Sequence, residues 1–135
     1  MELQERLVTV LDEVMSIQRE DDGALTVRHD QTIASLRVVT ISEGLDMVSL
    51  TQILAWDLPV DAKVRNSVAR HARNTLLGTV SLVEKSAGAK GNSKKVGDVL
   101  LRYNFPGVGL ADDALRTLIL LVLGTGADIR RDLVG

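Results

Sequence analysis

Between Lys95 and Leu123 the chain passes from an alternating apolar pattern, through Pro106-Gly107, into a segment apolar on nearly every side. Val99, Leu101, Tyr103 and Phe105 take alternate positions, with Asp98, Arg102 and Asn104 between them, so Val96–Phe105 reads as a half-buried strand. Proline brings no ladder N–H and glycine accepts a tight turn, which ends the strand at that pair. Asp112-Asp113 then open a helix, whose positive N-terminal end favours carboxylates. Leu115, Leu118, Ile119 and Val122 follow at helical spacing, while Leu120, Leu121 and Leu123 are apolar as well. A helix of this kind must be covered on more than one side. The sheet covers one; the other calls for a second helix, a loop or another copy of the chain.

Two continuations are open. The helix breaks at Gly124-Thr125-Gly126, or it runs on to Leu133 with each glycine costing ~1 kcal/mol relative to alanine. In the continuous reading Leu115, Ile119, Val122, Gly126, Ile129 and Leu133 recur at heptad-like spacing, and the glycine admits close approach of another backbone. With Leu121, these residues are the candidate dimer or partner surface.

The preceding chain supplies the other elements. Met1–Arg19 reads as one amphipathic helix, with Leu3, Leu7, Val10, Leu11 and Val14 on a shared face and Asp21-Asp22-Gly23 ending it. Leu25–His29, Thr32–Ile41 and Leu45–Asp57 are strands joined by short turns, which requires antiparallel neighbours. In the third, Val48, Leu50, Leu54 and Trp56 share one face. Asp61 caps a helix through Leu77 whose apolar stripe is thin, Val64, Val68, Ala72 and Leu76. Thr79–Glu84 is a fourth strand and Val96–Phe105 the fifth. The expected order is α-β-β-β-α-β-β-α, an α+β fold with about five antiparallel strands flanked by helices. No linker or repeat divides residues 1–135, so a single domain is expected, its N-terminal helix over 1–19 and its sheet and further helices over 24–133.

Composition narrows the function classes. A net charge of -2 offers no global field for nucleic acid, and three aromatic residues are too few for a base-stacking platform. With no cysteine there is no disulfide, thiolate metal site or thiol chemistry. The first residues carry acids where a signal peptide needs bases, and the longest wholly apolar run, Leu118–Leu123, is far short of the ~20 residues that span a bilayer. A cytoplasmic protein without a membrane partner is expected.

No residue set points to catalysis, a metal or a cofactor. His29 and His71 lack the i,i+4 spacing of a helical zinc site, and no serine lies in a nucleophile elbow. Asp112 and Asp113 are adjacent, point apart on a helix, and are accounted for by its dipole. Two basic regions remain. Four of five lysines lie between Lys85 and Lys95, in a glycine-rich loop without phosphate-loop spacing. The helix 61–77 carries Lys63, Arg65, Arg70 and Arg73. Arg65, Arg70, Arg73, Lys90, Lys94 and Lys95 are therefore the candidate contacts to an anion or acidic partner. The alternative function they define is a small-ligand or nucleotide sensor.

The run Trp56-Asp57-Leu58-Pro59-Val60-Asp61, the helix that closes His71-Ala-Arg-Asn-Thr-Leu-Leu-Gly before a strand, and the strand–loop–helix of Asp98–Leu123 together resemble YbjN-domain proteins. The likeness extends over about Leu25 to Leu133. It implies a fold like that of the type III secretion chaperones, a curved antiparallel sheet with flanking helices, usually homodimeric. It further implies a non-enzymatic protein-binding module, chaperone-like or regulatory, in a family described in terms of sensory-transduction regulation. In secretion chaperones the helix after the third strand often builds the dimer interface, which here is Asp61–Leu77.

Overall fold

A computed structural model describes residues 2–86 and 95–134. Helix α1 (Leu3–Asp12) precedes strands β1 (Ile17–Arg19), β2 (Leu25–His29), β3 (Thr32–Ser42) and β4 (Leu45–Pro59). Helix α2 (Ala62–Asn74), strands β5 (Thr79–Ser86) and β6 (Lys95–Pro106), and helix α3 (Asp112–Val134) complete the chain. The fold is α+β, as expected, with a sheet in the order β1-β2-β3-β4-β6-β5 and every neighbouring pair antiparallel.

The sheet has six strands rather than about five, because the first helix stops at Asp12 instead of Arg19. Leu3, Leu7, Val10 and Leu11 are buried, but Val14, the next residue of that stripe, is exposed beyond the helix end. The chain instead extends, and the turn at Glu20–Gly23 folds Ile17 back opposite Val27. At the other terminus, α3 is continuous through both glycines.

All three helices lie on one side of the sheet. Leu3 of α1 reaches over Val48, the Leu123 carbonyl of α3 accepts from Gln52, and Arg65 of α2 pairs with Glu84 on the same side of β5. The aliphatic core between the layers is built from inward positions such as Leu36, Leu50, Leu101 and Ile119, all fully buried. Burying a side chain of this size is worth about 1.5–3 kcal/mol. Arg6 and Arg116 lock α1 to α3 through Asp112 at 2.9 Å and Glu13 at 2.7 Å.

The alternation of β4 holds only to Leu54. The register with β6 slips between Ile53 and Ala55 and again before Leu58, so the inner face passes to Ala55, and Trp56 is 40% exposed. A bulge inserts residues and reverses the parity of everything after it. The expectation that Trp56 shares a face with Val48, Leu50 and Leu54 is therefore corrected.

Candidate functional site

The outer side of the sheet carries no helix among the described residues. Its side chains form rows across the strands: Ile33, Ile53 and Leu100 in one, Ser35, Thr51 and Arg102 in the next, Arg37, Ser49 and Asn104 beyond. The central aliphatic row is half-buried by its neighbours, and Arg102 is exposed with no ion partner among the described residues.

At one end of this face, Lys85 bridges Asp57 at 2.7 Å and Asp98 at 2.9 Å. The Asp98 carboxylate also accepts the Asp57 N–H at 3.0 Å, which pins the bulge where Asp57 adopts φ 55°. Its lysine partner holds the Asp98 carboxyl below the ordinary carboxylate range, and hydrogen bonds to Asp57 and Asp98 raise the lysine.

At the other end, β3 outlasts its neighbour. The ladder with β2 stops at Leu25 opposite Leu36, so Arg37–Thr40 and Ser42 pair only with β4, across a register shift at Ile41. Val39 and Ile41 are 40% and 62% exposed on this segment, and Leu45 across the turn is exposed too. A groove of about 560 Å³ runs beside it, between Gln4 and the Asp22–Ala24 turn on one wall and Arg37–Thr40 on the other. Arg37 spans the groove to Asp22 at 2.6 Å and holds that carboxyl below its usual range.

Between α2 and α3, Asp132 gathers three donors on Oδ2: His71 Nε2 at 2.7 Å, Arg70 at 2.6 Å and Ser67 Oγ at 3.5 Å. Its carboxyl is held low by the His71 hydrogen bond first and by Arg70. Serine, histidine and aspartate meet here, but the serine turns to the aspartate and the histidine is engaged by it, so no base serves the hydroxyl. The group is a clasp between helices. A cleft of about 250 Å³ beside it is lined by Leu58, Lys63 and Asp132 among others. No group of three or more potential ligands that could hold a metal occurs among the described residues.

The candidate residues are distributed as follows. Leu115, Ile119, Val122, Gly126 and Ile129 are buried against the chain's own sheet, Leu133 is half-buried, and Leu121 alone of the seven is exposed. The stripe read as a seam for another copy is thus filled from within. Arg65 meets Glu84 at 2.6 Å and Arg70 meets Asp132, so neither is a free cation. Arg73 and Lys95 are exposed; Lys90 and Lys94 lie outside the described residues. Of the four within the described residues, two are thus engaged by carboxylates of their own chain.

Two features escaped the residue-by-residue reading. Gln52 interrupts the apolar alternation of β4 and is fully buried, a polar residue among Leu50 and Leu54 that marks an internal contact. The bare segment of β3 was marked by length, since a strand of five residues cannot cover one of eleven.

The described helices include none long and apolar enough to cross a membrane. An antiparallel sheet with all helices on one side, ending in a long C-terminal helix, defines a two-layer α+β class in which several binding roles are housed. Within that class the chain is similar to the crystal structure of YbjN from E. coli, a protein described as a candidate transcription regulator, with a TM-score of 0.67 and 12% sequence identity. The superposition covers 95% of this chain and 88% of that one, so the YbjN-like fold extends over nearly the whole molecule. No family model matches the sequence, and no curated protein matches it.

Proposed function

We propose that this chain is a non-enzymatic protein-binding module, a regulatory or chaperone-like adaptor that works as a homodimer. The observation that carries this reading is the side of the sheet that bears no helix among the described residues, where an aliphatic row is flanked by hydroxyls and by Arg102, which has no ion partner among those residues. Such a mixed surface suits contact with another polypeptide better than a small-molecule pocket, which is concave and largely enclosed. The YbjN likeness agrees with it through a neighbour described as a regulator. A sensor for an anionic ligand has less support, because Arg65 and Arg70 already meet carboxylates of their own chain.

Light scattering of the purified chain at micromolar concentration, together with crosslinking capture from the native cell, tests both halves. The adaptor reading expects a dimer and a specific partner that is lost with Arg102→Glu. A monomer removes the homodimer; a partner retained by the variant removes this face as the contact.

A further inference from the structure

Like the edge strand β5, the half of β3 beyond Leu36 has a bare side. From Arg37 to Ser42 it is bonded on one side alone, over about 20 Å of strand. In an antiparallel strand alternate residues turn both backbone groups to the same side, so about half of these six present N–H and C=O outward with no partner strand. Edges of this kind are ordinarily blunted by lysine, proline, a bulge or a covering loop, and of these the segment has only the register shift at Ile41, between Thr40 and Ser42. Here the segment holds Val39 and Ile41, 40% and 62% exposed, and a groove of about 560 Å³ leaves the edge open.

Charge decides what fits there. One end of the bare segment faces the turn that carries Glu20, Asp21 and Asp22; the other runs into Glu43. Arg37 is the segment's only cation and is taken up by Asp22. Glu20 accepts from Thr26, whereas Asp21 and Glu43 have no ion partner among the described residues. A second copy is a poor occupant. Two-fold antiparallel pairing of β3 with itself sets the Glu43 tip of each copy against the acidic turn of the other, a like-charge contact repeated twice. A cationic strand has the opposite balance.

We propose that residues 37–42 of β3 accept an extended, cationic segment of a partner protein as an added strand. Its backbone completes the bare ladder, its apolar residues cover Val39 and Ile41, and its basic side chains meet Asp21 and Glu43. Main-chain pairing supplies affinity and the terminal charges supply direction and selectivity. This rests on the protein-binding reading above and gives that reading a site and a partner chemistry.

The probe is a fluorescent peptide of alternating valine and threonine with a lysine at each end, followed by anisotropy against the full chain. Two companions carry glutamate ends or N-methyl groups at alternate residues. Wild type should bind the lysine peptide roughly tenfold or more tightly than the glutamate one and should ignore the N-methylated one. Asp21→Lys with Glu43→Lys should reverse the preference, and Ile41→Lys should abolish binding. All three sites are exposed, so circular dichroism and thermal midpoint should match wild type. No binding of the lysine peptide, equal binding of both charged forms, or indifference to Ile41→Lys overturns the proposal. A wild-type dimer that Ile41→Lys dissociates gives the edge to a second copy and also overturns it. A cellular partner held equally by wild type and Ile41→Lys overturns the edge alone and leaves the adaptor reading standing; absence of both peptide and partner binding removes the two together.

Discussion

The side-chain amide of Gln52 occupies the space that a Cβ on residue 126 would fill. An added methyl group at Gly126 overlaps Oε1, the amide carbon and Nε2. Nε2 donates to Thr32 Oγ1 at 2.9 Å and to the Leu123 carbonyl at 3.1 Å, while the Thr32 hydroxyl donates to the His29 carbonyl at 2.6 Å. Those bonds fix which end of the amide is nitrogen and leave Oε1 buried without a partner, facing the glycine. The glycine in the helix is therefore where α3 meets β4, inside one chain.

Gly126→Ala should consequently destabilise the protein. Helix propensity favours alanine by about 1 kcal/mol, but overpacking a fully buried amide costs typically 1–3 kcal/mol. The informative form is a double-mutant cycle by urea denaturation. In a Gln52→Ala background the overlap is gone and the same change should become neutral or stabilising. A cost that stays the same in both backgrounds would show that the contact between these residues is not the cause.

A second prediction concerns the β2–β3 turn. Asp30 and Gln31 have φ 45° and 71° between the paired His29 and Thr32, the left-handed pair that a two-residue type I′ hairpin demands. A left-handed L-residue costs roughly 1–2 kcal/mol, and Gln31 is exposed. Gln31→Gly should raise stability by about 1 kcal/mol, seen as a higher urea midpoint at constant slope. An unchanged or lower midpoint would mean that the native turn carries no strain that glycine relieves.

The third prediction separates the two sides of α3. Leu121 is 55% exposed, so Leu121→Arg should leave the thermal midpoint nearly unchanged, within about 0.5 kcal/mol. Ile119 is fully buried, and Ile119→Ala should cost about 2–5 kcal/mol. If Leu121→Arg instead lowers the stability or breaks a wild-type dimer, the outer side of α3 is an interface after all.

These contrasts show which parts of the molecule were legible in the chain. The strand at Val96–Phe105 and the helix cap at Asp61 could be read directly, because alternation and capping are local. Asp61 accepts the Val64 N–H at 2.9 Å as an N-cap should. The three-residue β1 was hidden because Val14 and Ile17 continue an apolar rhythm that helix and strand share over so short a stretch. Trp56 was misplaced because a bulge leaves no simple mark in the alternation before it. The heptad-like row from Leu115 to Leu133 shares one face only if the helix runs on through Gly124 and Gly126, an alternative the sequence left open and which the structure shows. Periodicity states which residues share a face, however, not what covers it, and here the cover is the chain's own sheet. The clasp on Asp132 lies beyond any local pattern, since its partners are more than sixty positions away.

That clasp gives the last prediction. Asp132 receives His71 and Arg70 on one oxygen, with Ser67 at longer range, and His71 first and then Arg70 hold its carboxyl below the ordinary range. A carboxylate whose folded pKa is depressed binds fewer protons in the folded chain than in the unfolded one. Its stabilisation is therefore complete above the unfolded value, near pH 4, and is lost as the pH falls through the lower folded value. Asp132→Asn removes the charge at every pH. Urea midpoints should show the variant less stable than wild type at pH 7, with the gap closing as the pH is taken below about 4. Asp22 and Asp98 carry depressions of the same sign in both proteins, so they steepen both acid limbs and cancel in the difference. A gap that persists unchanged to low pH would show that the clasp acts through packing rather than charge.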